Sequence, residues 1–298
     1  MCLTRGRLNT VSQFAPAKLN LFLAVTGRRP DGFHDLVSVA VPLDWGDHLE
    51  ATLAETTVLQ SDDPALPVDA TNLVLQAAAA FRMATGWDEA VAFRLTKRIP
   101  MGAGLGGGSS DAVAALRAMN ELAGRPLGST DLLKLATQLG ADCALFLGGV
   151  PVVMRGKGEQ IEPLGTSEAA RLSGKRVFVF KPGFSVSTPW AYGRMAAHPE
   201  TYLPAIEAES RLSRWRAGDL PVGGLLYNNM EAVVFAKFPA LPALYDGLRE
   251  RFGLEPRMSG SGSASYAFLP DGADLPAIES WVREAWGPTA FTVTAQVA

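Results

Sequence analysis

An α+β fold in two subdomains is the expectation, and it rests on three observations. Strand-like and helix-like stretches mix without the regular βαβ rhythm of a doubly wound sheet. Five glycines stand in the seven positions from Gly102 to Gly108, and this loop runs into the helix-forming run Ala112-Val113-Ala114-Ala115-Leu116. The chain has 298 residues, long for one compact core and comfortable for two packed subdomains.

Taken in order, Lys18 to Val25 alternates partly and is expected as a strand. Arg28-Arg29-Pro30-Asp31-Gly32 forms a basic turn, and His34 to Leu43 the returning strand. Leu49 to Leu59 is expected as a further strand, followed by a loop rich in Pro and Asp over 61–69. Asn72 to Thr85 places Leu73, Leu75, Ala79 and Phe81 in an alanine-rich run, which favours helix. Val91 to Thr96 is a short strand feeding the glycine loop. Ser110 to Ala123 and Ser129 to Leu139 are expected as helices, the second capped by Ser129 or Thr130. Past Gly149 strands return at Pro151 to Met154 and Val177 to Lys181. Leu241 to Phe252 is a helix that Gly253 stops. Tyr266 to Leu269 and Phe291 to Val297 are strands, with a helix near Leu275 to Trp286 between them. A soft boundary falls near residues 155–175, which divides the chain into 1–160 and 161–298.

Composition narrows the function. A net charge of −3 offers no basic face, so nucleic acid is not an expected partner. No run of about 18 apolar residues is present, so no membrane helix is expected, and Met1 to Gln13 lacks the apolar core of a secretory signal. Two cysteines, Cys2 and Cys143, give neither a disulfide framework nor a zinc set, and the three histidines are scattered. His48 and His198 have no motif around them and are expected in solvent. These features suit a cytoplasmic protein acting on small molecules.

The glycine loop carries the chemistry. Glycine costs about 0.5–1 kcal/mol per position relative to alanine, so five in seven need a reason. Close approach of a polyanion supplies one, because bare backbone amides and the positive end of the following helix converge there. Gly102, Gly104 and Gly107 satisfy the dinucleotide fingerprint, but Lys97-Arg98-Ile99-Pro100 separates the strand from the first glycine, and Glu121 falls on a helix. A Walker A loop needs a lysine that is missing here, and the protein-kinase loop leads into a strand, not a helix.

Three other segments stand out. Ala15-Pro16-Ala17-Lys18-Leu19-Asn20-Leu21 puts one lysine in an apolar strand, with Lys18 and Asn20 on one face. That lysine either snorkels from the strand end or meets an anion. Gly140-Ala141-Asp142-Cys143-Ala144-Leu145-Phe146 sets a carboxylate among apolar neighbours, where a buried Asp needs a partner or a function. A Lys–Asp pair beside a phosphate loop either forms a structural salt bridge or takes a proton from an attacking hydroxyl. Phe33 and His34 follow the basic turn, and together with Ser187-Thr188-Pro189-Trp190-Ala191-Tyr192 they offer rings that suit stacking on a flat base, though an aromatic alone is more often core.

Pro-x-Gly-x-Gly-Leu-Gly-x-x-Ser-Ser resembles the phosphate-binding motif of kinases of the galactose, homoserine, mevalonate and phosphomevalonate type. The resemblance implies that Pro100, Met101, Gly102, Ala103, Gly104, Leu105, Gly106, Gly107, Gly108, Ser109 and Ser110 wrap the phosphates of ATP, with both serine hydroxyls near them and near Mg²⁺. It also implies that Lys97 and Asn72 approach the nucleotide; read alone, they serve as well as a solvated lysine and a helix cap.

The lysine strand, the Arg-Arg-x-Asp-Gly-aromatic-His turn and the Gly-Ala-Asp segment narrow the resemblance to the 4-diphosphocytidyl-2-C-methyl-D-erythritol kinase family, from Ala15 to Leu269. Gly156-Lys157-Gly158-Glu159, Lys181-Pro182-Gly183 and Met258-Ser259-Gly260-Ser261-Gly262 belong to the same pattern. It implies a two-domain fold with the active site in the interdomain cleft, residues 1–160 binding ATP and 161–298 completing the substrate side. Asp142 is then the general base and Lys18 its partner, and Asn20 lies near the reacting end of a cytidyl diphosphate substrate. Phe33 and Tyr192 sandwich the cytosine, His34 hydrogen-bonds it, and Thr188 lines its pocket. Gly260 to Gly262 shape the substrate side. No protein ligand of the metal is assigned. Another alcohol kinase of the superfamily, or an inactive nucleotide-binding relative, stays open. Two departures are visible: Phe33 stands where the family usually has tyrosine, and Cys143-Ala144-Leu145 where it usually has Val-Pro-Phe.

Overall fold

The computed structural model describes residues 9–298. They group into two compact units of interleaved sequence rather than into halves cut at residue 160. The first takes 9–17, 46–101 and 106–149, and the second takes 18–45, 102–105 and 150–298. The interleaving follows from two long strands, β1 (Thr10–Arg28) and β2 (His34–Ala54), each of which passes from one unit into the other. Sequence reading ends β2 at Leu43 and restarts a strand at Leu49. The strand in fact continues through Trp45-Gly46-Asp47. Gly46 permits this, since a Cβ there would run into the backbone of Ala15 and Pro16.

In the first unit, residues 48–54 of β2 pair antiparallel with β4 (Ala90–Thr96), and β3 (Val58–Ser61) runs parallel to β4 on its other side. Helix α1 (Leu73–Thr85) buries Val74, Ala77, Ala78 and Phe81, one stripe at helical spacing. It packs on α2 (Gly107–Leu122), whose Ala112, Val113, Ala115, Leu116 and Met119 are buried in turn. Small residues on both faces allow the close approach, and Phe81 adds about 1.5–3 kcal/mol of burial. Helix α3 (Ser129–Leu139) matches its expected bounds, but Gly128 is the N-cap, without a side-chain bond. A short α4 (Leu145–Gly148) closes the unit.

In the second unit, β5 (Val152–Arg155) pairs antiparallel with Ser38–Ala40 of β2 and with β6 (Gln160–Pro163). After α5 (Thr166–Ala170) comes β7 (Arg176–Lys181), the centre of a second sheet. Helices α6 (Thr188–Ala197), α7 (Ala205–Ala217), α8 (Val222–Leu225), α9 (Glu231–Lys237) and α10 (Ala240–Phe252) follow. Between α8 and α9, β8 (Tyr227–Asn228) pairs parallel with β1 at Phe22 and Leu23. The second sheet has the order β11-β7-β10-β9, with β9 Arg257–Met258, β10 Ser265–Phe268 and β11 Phe291–Gln296. Its core sets Phe178 and Phe180 against Leu244, Tyr245 and Leu248 of α10 and against Ile278 and Val282 of α11 (Leu275–Trp286).

Candidate active site

Sequence reading starts α2 at Ser110; the helix starts at Gly107, so the last glycines of the loop are already its first turn. Gly102, Gly104 and Gly106 alternate in the left-handed region, at φ +60°, +78° and +75°. Gly106 is the N-cap and carries no side chain to cap with, which leaves the first-turn amides for a ligand. The first intrahelical bond runs from Ser110 N–H to Gly106 C=O at 2.9 Å. Ser110 is buried and its Oγ has no hydrogen-bond partner among the described residues, as expected of a hydroxyl set toward an anion. Ser109, one residue earlier, lies near the Cys143 thiol: a Cβ at Gly140 would come 3.9 Å from its Oγ and 3.3 Å from Cys143 Sγ.

Residues 102–105 group with the second unit and are pinned there through their carbonyls. Ala103 C=O accepts from Ala264 N–H at 3.0 Å, Gly104 C=O from Ser259 Oγ at 3.1 Å and Leu105 C=O from Lys18 N–H at 2.9 Å. A side chain at Gly104 would strike the Ser259 carbonyl. Pro100 is half-buried, whereas Met101 is 40% exposed.

Lys97 is not a solvated lysine. Its ammonium is buried between Asp47 and Asp111, the latter 2.8 Å away. Asp47 also accepts the amides of Arg98 at 2.5 Å and Ile99 at 2.8 Å, and Ile99 packs on the position a Gly107 side chain would take. This clamp fixes the turn leading into the loop against α2. A recess of about 320 Å³ lies beside it, lined by Asp62, Asp63, Pro64, Lys97, Arg98, Ile99 and Pro100. Asn72 fills the helix-capping role: its Oδ1 accepts from Val74 N–H at 2.9 Å and its Nδ2 donates to Pro67 C=O at 2.7 Å.

One ammonium cannot neutralise two buried carboxylates. Burial pushes Asp111 up to about 7; Lys97 opposes the rise and Asp47 reinforces it. Burial also works against the Lys97 ammonium, but Asp111 and Asp47 together outweigh it and raise its pKa. The folded state therefore holds the Asp111 proton more tightly than the unfolded chain does. Stability drawn from that proton is whole below the ordinary carboxylate range and is lost as pH rises toward about 7. Asp111→Asn is expected to flatten the fall in Tm between about pH 5 and about pH 8. Thermal unfolding at both pH values checks this, and parallel curves for the two proteins would refute it.

Asp142 lies half-buried in the turn 141–144 between α3 and α4. The turn is held by Cys143 N–H to Gly140 C=O at 3.1 Å and by Phe146 N–H to Cys143 C=O at 3.1 Å. Cys143 is fully buried, and burial pushes its thiol up to about 11, so it packs as a small protonated filler.

In the second unit, Lys18 and Asn20 share a face of β1 as their spacing predicts. Both are buried, and Lys18 Nζ donates to Asn20 Oδ1. Asn20 Nδ2 donates to Ser38 Oγ at 2.9 Å, and its backbone N–H reaches Ser259 Oγ at 3.3 Å. Gly260, at φ +59°, stands over this pair; a Cβ there would come 3.4 Å from Lys18 Nζ and 3.5 Å from Asn20 Oδ1. Asn228 holds the segment by donating to Met258 C=O and Gly260 C=O, each at 2.8 Å. Thr188 Oγ meets Ser261 Oγ at 2.7 Å, so Thr188 belongs to the same surface.

The expected base-binding residues also fall in this unit. His34 and Tyr192 stack with ring centroids 4.8 Å apart, and His34 Nε2 lies 3.0 Å from the Tyr202 hydroxyl. Burial, then Arg28, holds the imidazole below its ordinary value. Phe33 is 56% exposed and carries the Lys157 ammonium 4.5 Å over its ring. Sequence reading missed Asp47, Asp111, Asn228 and Tyr202 as members of these clusters. Only Asp111, directly after the two serines, had a local signal.

Comparison with known proteins follows the same lines. The family model described as GHMP kinases N terminal domain matches residues 72–151. The 4-diphosphocytidyl-2-C-methyl-D-erythritol kinase of Chlorobium phaeobacteroides is 38% identical over 283 residues, covering 95% of this chain and 96% of its own. That of Methylacidiphilum infernorum is 38% identical over 266 residues, 88% of this chain and 87% of its own. A crystal structure of 4-(cytidine 5'-diphospho)-2C-methyl-D-erythritol kinase superposes with a TM-score of 0.76 at 36% identity, covering 97% of this chain and all (100%) of the other. A homoserine kinase from Cytophaga hutchinsonii superposes at 0.75 with 18% identity, a likeness of fold alone.

Proposed function

We infer the reaction from membership: the chain belongs to the 4-diphosphocytidyl-2-C-methyl-D-erythritol kinase family, and it transfers the γ-phosphoryl group of ATP to the 2-hydroxyl of that cytidyl diphosphate, giving the 2-phosphate and ADP. This is a step of the non-mevalonate route to isoprenoid precursors. The observation that carries the reading is the 2.9 Å bond from Lys18 N–H to Leu105 C=O, which ties the lysine strand to the phosphate loop.

Asp142 takes the proton of the attacking hydroxyl, and Lys18 neutralises charge as the alkoxide forms. Asn20 holds the Lys18 ammonium and faces the reacting end of the substrate. The loop from Pro100 to Ser110 positions the phosphates through its amides, and most of the acceleration comes from that positioning and from charge stabilisation. Lys97 and Asn72 serve the nucleotide side as frame, one clamping the loop and the other capping α1. The recess beside Lys97 suits the nucleoside end of ATP.

Among the described residues no group of three His, Cys, Asp or Glu side chains could hold a metal, so Mg²⁺ would arrive on the nucleotide. The orphaned Ser110 hydroxyl and Ser109 are the oxygens that fit it, and the ion would supply neutralisation of the β- and γ-phosphate charge. Among the described residues no helix is long and apolar enough to cross a membrane. A cytoplasmic site for the reaction is part of the proposal, supported by the net charge and the two cysteines of the chain.

The test is ADP release from Mg-ATP with the cytidyl substrate, using mevalonate and homoserine as controls. ADP with the cytidyl substrate alone supports the assignment, while turnover of another alcohol keeps the kinase and discards the base pocket. In the same assay, Tyr192→Ala is expected to lose one stacking surface worth about 1–3 kcal/mol, raising KM for the cytidyl substrate about fivefold to 150-fold. KM for ATP should not move; an equal rise in both would refute the role given to Tyr192.

A further inference from the structure

We propose that Tyr202 is a positioning residue that determines specificity: its hydroxyl fixes the tautomer of His34, and that tautomer selects cytosine over uracil. The proposal rests on the reading that His34 faces the base. The Tyr202 hydroxyl lies 3.0 Å from His34 Nε2, while the face of the imidazole is covered by Tyr192. The ring is thus fixed in plane by one tyrosine and at one edge by the other.

Tyr202 is itself held on both sides. Its N–H donates to Pro199 C=O at 3.1 Å, and Leu203 N–H donates to Val25 C=O of β1 at 3.1 Å. Asn229 Nδ2 bridges Thr201 C=O at 2.9 Å and Val25 C=O at 2.8 Å. The loop carrying the hydroxyl is thereby tied to the strand that precedes the His34 turn.

A hydroxyl and an imidazole nitrogen share one proton along their bond. The phenol is the stronger acid and the imidazole nitrogen the stronger base, so Tyr202 donates and Nε2 accepts. A neutral imidazole then carries its single proton on Nδ1. Burial and Arg28 favour that neutral ring, and because the contact to Tyr202 uses Nε2, Nδ1 is the ring nitrogen left to meet the base. His34 therefore presents a donor. The pairing edge of cytosine offers acceptors at N3 and O2, whereas uracil has N3–H, which would set donor against donor. Tyr192 stacks on either base and so contributes affinity without this choice. Nothing in the sequence pairs positions 34 and 202, and the tautomer follows only from the fold.

The test compares CDP with UDP as ligands of the wild type and of Tyr202→Phe, which removes one oxygen. Turnover of the cytidyl substrate by the wild type is measured first. Its absence overturns the underlying reading and this assignment with it. With turnover present, the affinity ratio of CDP to UDP is expected to fall about tenfold or more in Tyr202→Phe, chiefly by tighter UDP binding. An unchanged ratio, or a wild type that does not discriminate, overturns the assignment alone. A second readout needs no variant of Tyr202. Long-range ¹H–¹⁵N spectra of the wild type, with the His34 signals identified by their loss in His34→Gln, should show the Nδ1–H tautomer. An Nε2–H tautomer there refutes the proposal.

Discussion

Asp142→Asn is expected to keep ATP binding and to lose turnover by about 10²–10⁴-fold, the range a positioned general base supplies. Asparagine has nearly the same shape but accepts no proton at neutral pH. The turn that carries it should persist, because Cys143 N–H to Gly140 C=O and Phe146 N–H to Cys143 C=O do not pass through the Asp142 side chain. No neighbouring thiolate substitutes for the base: Cys143 is buried and burial pushes its thiol up to about 11, with the Asp142 charge adding to the rise. On the proposed mechanism nucleotide affinity is set elsewhere, by the left-handed glycines and the uncapped start of α2. The two effects therefore separate, and two measurements read them: ADP release with saturating cytidyl substrate, and titration with ATP alone. Full turnover in the variant would remove Asp142 from the mechanism. Loss of ATP binding along with turnover would mean that the turn had collapsed rather than that a base had been deleted.

What the sequence discloses depends on whether its signal is local. The glycine loop is legible because five glycines in a row of seven have one economical physical explanation, and the helix after it because alanine and leucine leave little choice. Helix α3 keeps its expected bounds, and α11 begins where Asp274 caps the Ala277 amide. Lys18 and Asn20 meet because a strand puts alternate residues on one face. The stretch from Thr188 to Lys237 is hard to read from sequence: α8 and α9, with four and seven residues, give too little periodicity, and the thirteen-residue α7 buries only Ala208, Leu212 and Trp215. The clamp of Asp47, Lys97 and Asp111 had no signal in spacing, because the three charges come from separate elements. Lys97 viewed alone looked like any exposed lysine beside Arg98. Only pairing of β2 with β4, register His48 to Thr96, brings the Asp47 strand alongside the residues that precede the loop.

Lys97→Met is expected to destabilise the protein by about 3–5 kcal/mol, the loss typical when one partner of a buried ion pair is removed. The size follows from what remains. Asp47 is fully buried and Asp111 nearly so, and without the ammonium both carboxylates face each other with no cation between them. Asp47 keeps the Arg98 and Ile99 amides, so the cost falls first on Asp111, whose Oδ1 already lacks a hydrogen-bond partner among the described residues. A carboxylate left in that position takes up a proton instead; because Lys97 holds the Asp111 pKa down, the carboxyl of the variant stays protonated to higher pH, and the deficit should shrink as pH falls toward about 7. Removing Asp111 as well separates charge from packing: Lys97→Met with Asp111→Leu leaves only Asp47, which keeps its two amides, and should recover part of the lost stability, as apolar replacements of buried pairs often do. Activity should not recover with it. The turn through Ile99 and Pro100 leads directly into the phosphate loop, and without the tie from Lys97 to α2 the loop loses its fixed position against Gly107. KM for ATP should therefore stay raised in the double variant while the fold is restored. Denaturant unfolding of the wild type, the single and the double variant, together with KM for ATP in each, decides the matter. A single variant that loses less than about 1 kcal/mol would show that the lysine is as weakly engaged as a surface pair. A double variant with both stability and KM restored would show that the clamp serves the fold and not the nucleotide.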